Sequence, residues 1–128
     1  MATYPGFDPN RYQLYSRALQ LNRAATSGYE PGSTFKMITI AAALNEGMIS
    51  PDQEFFCENG KYKIGKNLIH DSTPHGIMTL KQVLKKSSNI CAAKIGMSMP
   101  PAQFHEYILR FGFGQRPNSG VAAEASGI

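Results

Sequence analysis

The chain has 128 residues, of which 42% are hydrophobic and 17% are charged, and its formal net charge is +4. This composition is typical of one folded globular domain, which we assign to residues 1–128, and it excludes an intrinsically disordered chain. The longest apolar run, from Met37 to Leu44 with Thr39 inside it, is too short to span a membrane, and the first ten residues lack the pattern of a signal peptide.

The N-terminal third contains one strongly predicted helix. The first dozen residues are rich in turn-forming residues, and residues 12–23 predict one or two helical turns. Residues 33–46 predict a helix that ends at Gly47, because glycine favours the left-handed conformation after a last helical turn. Apolar or small side chains fall on every side of this helix, so we expect it to be buried all round.

The segment "EFFCENGKYKIGKNLIHD", residues 54–71, is the one β-like region. The dipeptide Asn59-Gly60 lies between "FFC" and "KYKI", and this dipeptide is typical of a tight hairpin turn. We therefore predict a small β-hairpin centred on it.

The two cysteines, Cys57 and Cys91, allow a single disulfide, and their spacing is not a metal-binding pattern. Cys91 lies in the apolar helical stretch "NICAAKIGM", and cysteine is among the most buried residue types. We expect a buried free thiol at Cys91.

The C-terminal half predicts three more helical segments. Thr79 and Gln82 have the spacing of a capping box before "LKQVLKK". The tripeptide "SSN" interrupts, and a helical pattern resumes at "ICAAKIGM". Pro101 begins a further helix, and Gly112 lies beyond its end. The predicted fold class is mainly α with one small β-hairpin.

Ser33 and Lys36 have a spacing that suits nucleophilic catalysis. Residues three apart on a helix share a face. A serine hydroxyl needs a base to take its proton, and a lysine is such a base when burial lowers its pKa. The alternative is structural: Ser33 caps the helix, and the Lys36 ammonium extends to solvent.

A second polar pair, Ser87 and Asn89, lies in the interruption between two helices, where a hydroxyl and an amide can both face a cleft. Serine and lysine followed downstream by Ser-x-Asn match two of the three motifs of penicillin-binding proteins and serine β-lactamases. The alternative is that "SSN" only ends one helix and caps the next.

With these motifs in order, the sequence resembles part of the transpeptidase domain of a class B penicillin-binding protein, most closely the division-type peptidoglycan D,D-transpeptidases. The segments that carry the resemblance are "YPGFDPN", "NRA", "YEPGSTFK", "ALNEG", "LKKSSNICAAKIG", "FGFG" and "EASG". The resemblance implies the helical subdomain of the penicillin-binding protein and serine β-lactamase-like α/β fold, with the central sheet largely missing.

The resemblance also implies roles for individual residues. Ser33 is the expected nucleophile and Lys36 its base, while Ser87 relays a proton to the leaving group. Asn89 is expected to bind the peptide backbone of the substrate and to hold Lys36, and the Ser33 backbone N–H gives half of the oxyanion hole. The implied reaction uses no metal and no organic cofactor.

The partners implied are the D-Ala–D-Ala stem peptide of peptidoglycan and β-lactams, which mimic it. The lysine clusters have no interleaved aromatic residues, so we expect no nucleic-acid partner. The resemblance places the parent enzyme on the outer face of the bacterial cytoplasmic membrane.

One family motif is absent: neither "KTG" nor "KSG" occurs in the 128 residues. We therefore expect a fragment that is inactive or weakly active alone, with apolar faces that favour self-association. Two alternatives stay open at this point. One is a fragment of a β-lactam sensor or a class D β-lactamase, and the other is a non-catalytic binding or structural module, in which Ser33 and Lys36 are dispensable for β-lactam acylation.

Overall fold

The computed structural model describes residues 4–121 and 123–127, and in this part of the chain the structure is mostly helical. The helices are α1 (Arg17–Gln20), α2 (Arg23–Thr26), α3 (Phe35–Asn45), α4 (Leu80–Lys86), α5 (Asn89–Met97) and α6 (Pro101–Arg110). The strands are β1 (Glu54–Phe56), β2 (Lys61–Ile64), β3 (Asn67–His70) and β4 (Ile77–Thr79). The predicted fold class, mainly helical with a small β component, is confirmed.

Two compact units divide the chain. One contains residues 4–30 with residues 112–121 and 123–127, and the other contains residues 31–111. The assignment of one domain to residues 1–128 stays a prediction. No helix of the described residues is both long enough and apolar enough to cross a membrane.

Within residues 31–111, α3 packs against α5 and α6 to form the core. A β-carbon at Gly96 of α5 would lie 3.3 Å from Thr39 Cγ2 of α3, so a glycine permits this close approach. The core includes buried residues of α3, α4, α5 and α6 and of the strands: Ile40, Ala42, Ala43, Met78, Leu80, Val83, Ile95 and Tyr107.

The helix α3 ends as predicted, with Gly47 at a φ of 67° after the last turn. The prediction that α3 is buried on every side is wrong, because Met37 is 60% exposed and Ala41 is exposed as well. Its apolar composition therefore reflects a buried face toward α5 and α6 together with an apolar outer face.

The strands form two separate antiparallel pairs, and the predicted hairpin turn is wrong. β1 pairs with β4, from Glu54 opposite Thr79, whereas β2 pairs with β3, from Lys61 opposite His70. Asn59 and Gly60 do have positive φ angles, but their turn carries the chain from one sheet to the other. The hairpin turn is the two-residue connection after β2, where Gly65 has a φ of 58°.

A disulfide joins Cys57 to Cys91, so the expected free thiol at Cys91 is wrong. Both residues are fully buried, and their Cα atoms are 5.2 Å apart, which is within the usual range for a disulfide. Burial was predicted correctly, but the pairing depends on a contact between residues 34 positions apart. The bridge links the end of β1 to the first turn of α5.

The caps of α4 and α6 follow the sequence. Thr79 and Gln82 form the predicted capping box at the start of α4. Pro101 occupies the first turn of α6, and Gly112 beyond its end has a φ of 84°. These local features place the ends of the helices that carry the candidate site.

The unit formed by residues 4–30 and the C-terminal segment has little regular structure beyond α1, α2 and the 3₁₀ turns at Pro9–Leu14. The predicted helical turns in residues 12–23 correspond to these elements. The Ala125 N–H donates to the Ala25 carbonyl, which joins the two ends of the unit. The Glu124 carboxylate accepts from the backbone N–H groups of Asn118 and Ser119, so Glu124 organises a turn.

Candidate active site

Ser33 lies at the start of α3, in a 3₁₀ turn formed by Gly32–Thr34. Gly32 has a φ of 56°, a conformation that glycine adopts without strain. The Ser33 side chain is exposed at a cleft of about 490 Å³, which is also lined by side chains of α3 and α4 and by Ser87. The turn therefore presents a hydroxyl to a cavity large enough for a small ligand.

The Lys36 ammonium lies at the centre of four uncharged oxygens. Its Nζ is 3.3 Å from Ser33 Oγ and 2.9 Å from Ser87 Oγ. It is 2.6 Å from the Ser87 carbonyl oxygen and 2.6 Å from Asn89 Oδ1. The alternative in which Lys36 extends to solvent is therefore excluded, and the N-cap position of α3 is occupied by Thr34 rather than by Ser33.

Ser87 faces Lys36 because the chain reverses direction after α4. Ser87 has a φ of 55° and a ψ of 43°, the left-handed conformation. Its N–H donates to the Leu84 carbonyl, and the next N–H, of Ser88, donates to the Val83 carbonyl. A non-glycine residue in this conformation costs about 1–2 kcal/mol. In return, both the carbonyl and the hydroxyl of Ser87 point to one lysine.

The Asn89 side chain is held at both ends. Its Oδ1 accepts from Lys36, and its Nδ2 donates to the His70 carbonyl at the end of β3 over 2.8 Å. These two contacts fix the orientation of the amide. An amide group has two N–H donors and two lone pairs, so half of its capacity is used by them.

Burial lowers the pKa of Lys36 from its ordinary value of 10.5, and the negative charge of Asp71 partly opposes this effect. The ammonium loses hydration in the cleft, and its neighbouring oxygens carry only partial charges. The net effect makes a neutral amine easier to form at Lys36 than in a solvated lysine.

Asp71 is a polar residue of this site that the sequence analysis did not single out. Its Oδ2 accepts from the Ser88 hydroxyl over 2.6 Å, and its Oδ1 accepts from the N–H groups of Asn89 and Ile90 over 2.6 and 3.1 Å. Ser88 is only 1% exposed. The one local signal was an acidic residue at the end of the β-like segment, and nothing in the sequence indicated that it meets a helix start 18 residues later.

The structure thus brings all four predicted site residues, Ser33, Lys36, Ser87 and Asn89, into one hydrogen-bonded group. A second cavity of about 500 Å³ lies between α3, α5 and α6, but the described residues that line it include no ionisable side chain. The cleft at Ser33 is therefore the candidate site.

Comparison with known proteins gives one family. The sequence matches the family model of the penicillin binding protein transpeptidase domain over residues 1–128. Over 128 residues it is 35% identical to the peptidoglycan D,D-transpeptidase FtsI of Buchnera aphidicola subsp. Schizaphis graminum and 32% identical to FtsI of Escherichia coli K12. All of the chain is covered in both cases, but only 22% and 21% of those relatives. The chain spans about a fifth of the length of these curated relatives.

Solved structures give the same result. The transpeptidase domain of Burkholderia pseudomallei penicillin-binding protein 3 aligns with a TM-score of 0.80 at 34% identity, over 84% of this chain and 32% of that chain. Penicillin-binding protein 3 of Mycobacterium tuberculosis in complex with aztreonam aligns with a TM-score of 0.83 at 32% identity, over 94% of this chain and 27% of that chain. The described fold therefore aligns with part of the penicillin-binding protein transpeptidase fold.

Proposed function

Because this chain belongs to the penicillin-binding protein transpeptidase family, we propose that it carries the nucleophile and base of a peptidoglycan D,D-transpeptidase. The substrate is the D-Ala–D-Ala end of a stem peptide. The enzyme works by an acyl-serine intermediate on Ser33, with no metal and no organic cofactor. Its place of action is the outer face of the bacterial cytoplasmic membrane.

The observation that carries this proposal is the set of oxygens around Lys36 Nζ. Two of them, the Ser87 carbonyl and Asn89 Oδ1, only accept hydrogen bonds, and both are 2.6 Å away. The other two belong to hydroxyls, which either donate or accept. A neutral amine has two N–H groups and one lone pair, so the two acceptors take the N–H groups and the lone pair faces the two hydroxyls.

This arrangement supports a complete proton path. Lys36 takes the Ser33 proton as Oγ bonds to the carbonyl carbon of the penultimate D-Ala. The C–N bond then breaks, and the leaving D-Ala nitrogen receives a proton through the Ser87 hydroxyl, which regains one from the Lys36 ammonium. An amine of a neighbouring strand attacks the acyl-serine by the reverse path. Lys36 ends neutral, and protons and charges balance.

The oxyanion hole sets the rate that we expect for the isolated 128-residue chain. The Ser33 N–H supplies one donor, but the chain contains no Lys-Thr-Gly or Lys-Ser-Gly motif to supply its partner. Loss of one such donor lowers a rate by about 10²–10³-fold. The isolated chain is therefore acylated slowly.

β-Lactams are the second ligand class of the proposed site, since they place a reactive carbonyl where the peptide carbonyl binds. The structure of the Mycobacterium tuberculosis relative with aztreonam supports this proposal. The matches to two transpeptidases named FtsI favour it over a β-lactam sensor or a class D β-lactamase.

The test is intact-mass spectrometry of the chain after long incubation with penicillin. We expect a slowly formed adduct that is lost in Ser33→Ala and retained in Ser50→Ala, a matched change at another exposed serine. An adduct that persists in Ser33→Ala would contradict the assignment of the nucleophile.

The effect of the missing second oxyanion donor is tested with a chimera, in which this chain replaces the aligned 128 residues of Escherichia coli FtsI. We expect acylation of Ser33 in the chimera to be at least about 10²-fold faster than in the isolated chain. Equal rates would contradict the proposal that the oxyanion hole limits the isolated chain.

Self-association is a further proposal for the isolated chain. Large apolar side chains are exposed on residues 31–111, among them Ile77, Met37, Phe111 and Met97. Exposed apolar side chains favour association when they meet those of a second copy. Sedimentation velocity at rising concentration should show dimers or larger species, and a monomer at all concentrations would contradict this.

A further inference from the structure

The carboxylate of Asp71 contacts three consecutive residues at the start of α5. The Ser88 hydroxyl donates to Oδ2, while the N–H groups of Asn89 and Ile90 share Oδ1. The first N–H groups of a helix have no partner within the helix. Asp71 satisfies two of them, and Ser88 Oγ accepts from a third, that of Cys91, over 3.0 Å.

The residues that Asp71 holds are the neighbours of those that contact Lys36. Ser87 precedes Ser88 in the chain, and Asn89 donates its backbone N–H to Asp71 while its side chain accepts from Lys36. The Asn89 side chain is also tied to the His70 carbonyl, one residue before Asp71. The end of β3 thus fixes both the backbone and the side chain of the turn.

We infer that Asp71 is a positioning residue for the reaction of Ser33: its carboxylate fixes the turn at residues 87–89, so that the oxygens of Ser87 and Asn89 converge on Lys36. The expected effect of Asp71 on catalysis rests on the proposed function. The expected effect of Asp71 on the surroundings of Lys36 does not depend on that function.

Asp71 also acts on Lys36 through its charge. The carboxylate raises the pKa of Lys36, against the larger effect of burial. Among the described residues that line the cleft, the charged side chains are those of Lys36 and of Lys85 of α4. Asp71 therefore has two separable effects, one geometric and one electrostatic.

Two substitutions separate these effects. In Asp71→Asn, the amide oxygen still accepts from the N–H groups of Asn89 and Ile90, but the charge is gone. In Asp71→Ala, both the contacts and the charge are gone. Asp52→Asn removes an acid from an exposed turn and is the matched control.

The first measurement is the pH profile of Lys36 labelling by trace acetic anhydride, followed by mass spectrometry of the 128-residue chain. We expect the midpoint for Lys36 to lie at lower pH in Asp71→Asn than in the wild type, because an attractive negative charge has been removed. Asp52→Asn should leave the midpoint unchanged. An identical midpoint in all three proteins would overturn the electrostatic effect of Asp71 on Lys36; the geometric effect is tested by the second measurement.

The second measurement is amide hydrogen exchange at Asn89 and Ile90. We expect both amides to be protected in Asp71→Asn and to exchange faster in Asp71→Ala. Ser33 acylation by penicillin should fall by up to about 100-fold in Asp71→Ala, since an error of about 1 Å in position has that effect. Retained protection in Asp71→Ala would overturn the inference.

The two proposals fail in different ways. If the FtsI chimera forms no adduct at Ser33 while labelling and exchange in the 128-residue chain respond as expected, the proposed function fails and the control of Lys36 by Asp71 stands. If the adduct forms but neither readout responds, the proposed function stands and the inference about Asp71 fails. Asp71→Asn keeps the test valid even if Asp71→Ala does not fold.

Discussion

Lys36 of α3 and Lys94 of α5 are both half-buried lysines on neighbouring helices, yet their surroundings differ in kind. Lys94 Nζ is 2.5 Å from Glu58 Oε1 and 2.8 Å from the Phe56 carbonyl oxygen. It also lies 5.1 Å from the centre of the Tyr62 ring, within the range of a cation–π contact. Lys36, in contrast, is surrounded by uncharged oxygens.

The position of the nearest carboxylate accounts for this difference. Glu58 contacts the Lys94 ammonium directly, and the ion pair links α5 to the turn after β1. The Asp71 carboxylate accepts hydrogen bonds from the Ser88 hydroxyl and from backbone N–H groups. It affects Lys36 through its negative charge, which raises the pKa of the lysine. Lys94 thereby links two elements of the fold, whereas the surroundings of Lys36 are consistent with its proposed role as a base.

Lys36→Met should have the largest effect, because methionine keeps most of the apolar stem and removes the base. General-base catalysis contributes about 10²–10⁴-fold, so we expect the rate of Ser33 acylation by penicillin to fall by that factor. Stopped-flow or mass-spectrometric kinetics in the FtsI chimera measures it.

The control is Lys94→Met, which makes the same chemical change at the other lysine. We expect its acylation rate to stay within about threefold of the wild type, because the Lys94 ammonium binds the Phe56 carbonyl and Glu58 rather than the oxygens around Lys36. Equal losses in the two variants would remove the functional distinction between the lysines.

Reduction of the Cys57–Cys91 disulfide should have the next largest effect, this time on stability. The bridge joins residues 34 positions apart and closes a loop that contains β2, β3, β4 and α4. The chain-entropy relation gives about 4 kcal/mol for such a loop. Urea unfolding of the oxidised chain and of the chain reduced by dithiothreitol compares the two states, and equal free energies of unfolding would contradict the expected role of the bridge.

The pH dependence of acylation should show which lysine acts as the base. The pKa of Lys36 is lowered from 10.5, so at a given pH a larger fraction of its side chains is neutral than in a solvated lysine. Below that folded-state pKa, the fraction of neutral amine rises tenfold per pH unit, so the acylation rate should rise with pH and then level off. Lys94→Met should leave this profile unchanged, and a rate independent of pH would contradict the role of Lys36 as the base.

Local sequence signals predicted the parts of this structure that depend on neighbouring residues. The C-terminus of α3 at Gly47, the capping box of Thr79 and Gln82 and the proximity of Ser33 to Lys36 all follow from spacing within one helix. The family resemblance then correctly indicated which family the chain belongs to.

Long-range contacts were not predictable in the same way. β1, the strand before Asn59-Gly60, pairs with β4, which begins 17 residues beyond Gly60, because strands choose partners by tertiary packing rather than by one turn. Asp71 and the pairing of Cys57 were missed for the same reason. The residues that contact the turn at residues 87–89 come from distant parts of the chain, whereas the proposed nucleophile and base, Ser33 and Lys36, come from one helical turn.

Glu58→Gln should have the smallest effect and gives the most demanding test of the comparison. The Lys94 and Glu58 side chains are 28% and 30% exposed, so solvent screens their ion pair, and such pairs contribute about 1 kcal/mol or less. We expect a loss of that size in the free energy of unfolding by urea, with Asp52→Asn as the control, and no change in the pH profile of acylation. A shift of that profile in Glu58→Gln would mean that the two lysines are coupled through α5. The contrast between a structural Lys94 and a catalytic Lys36 would then be wrong.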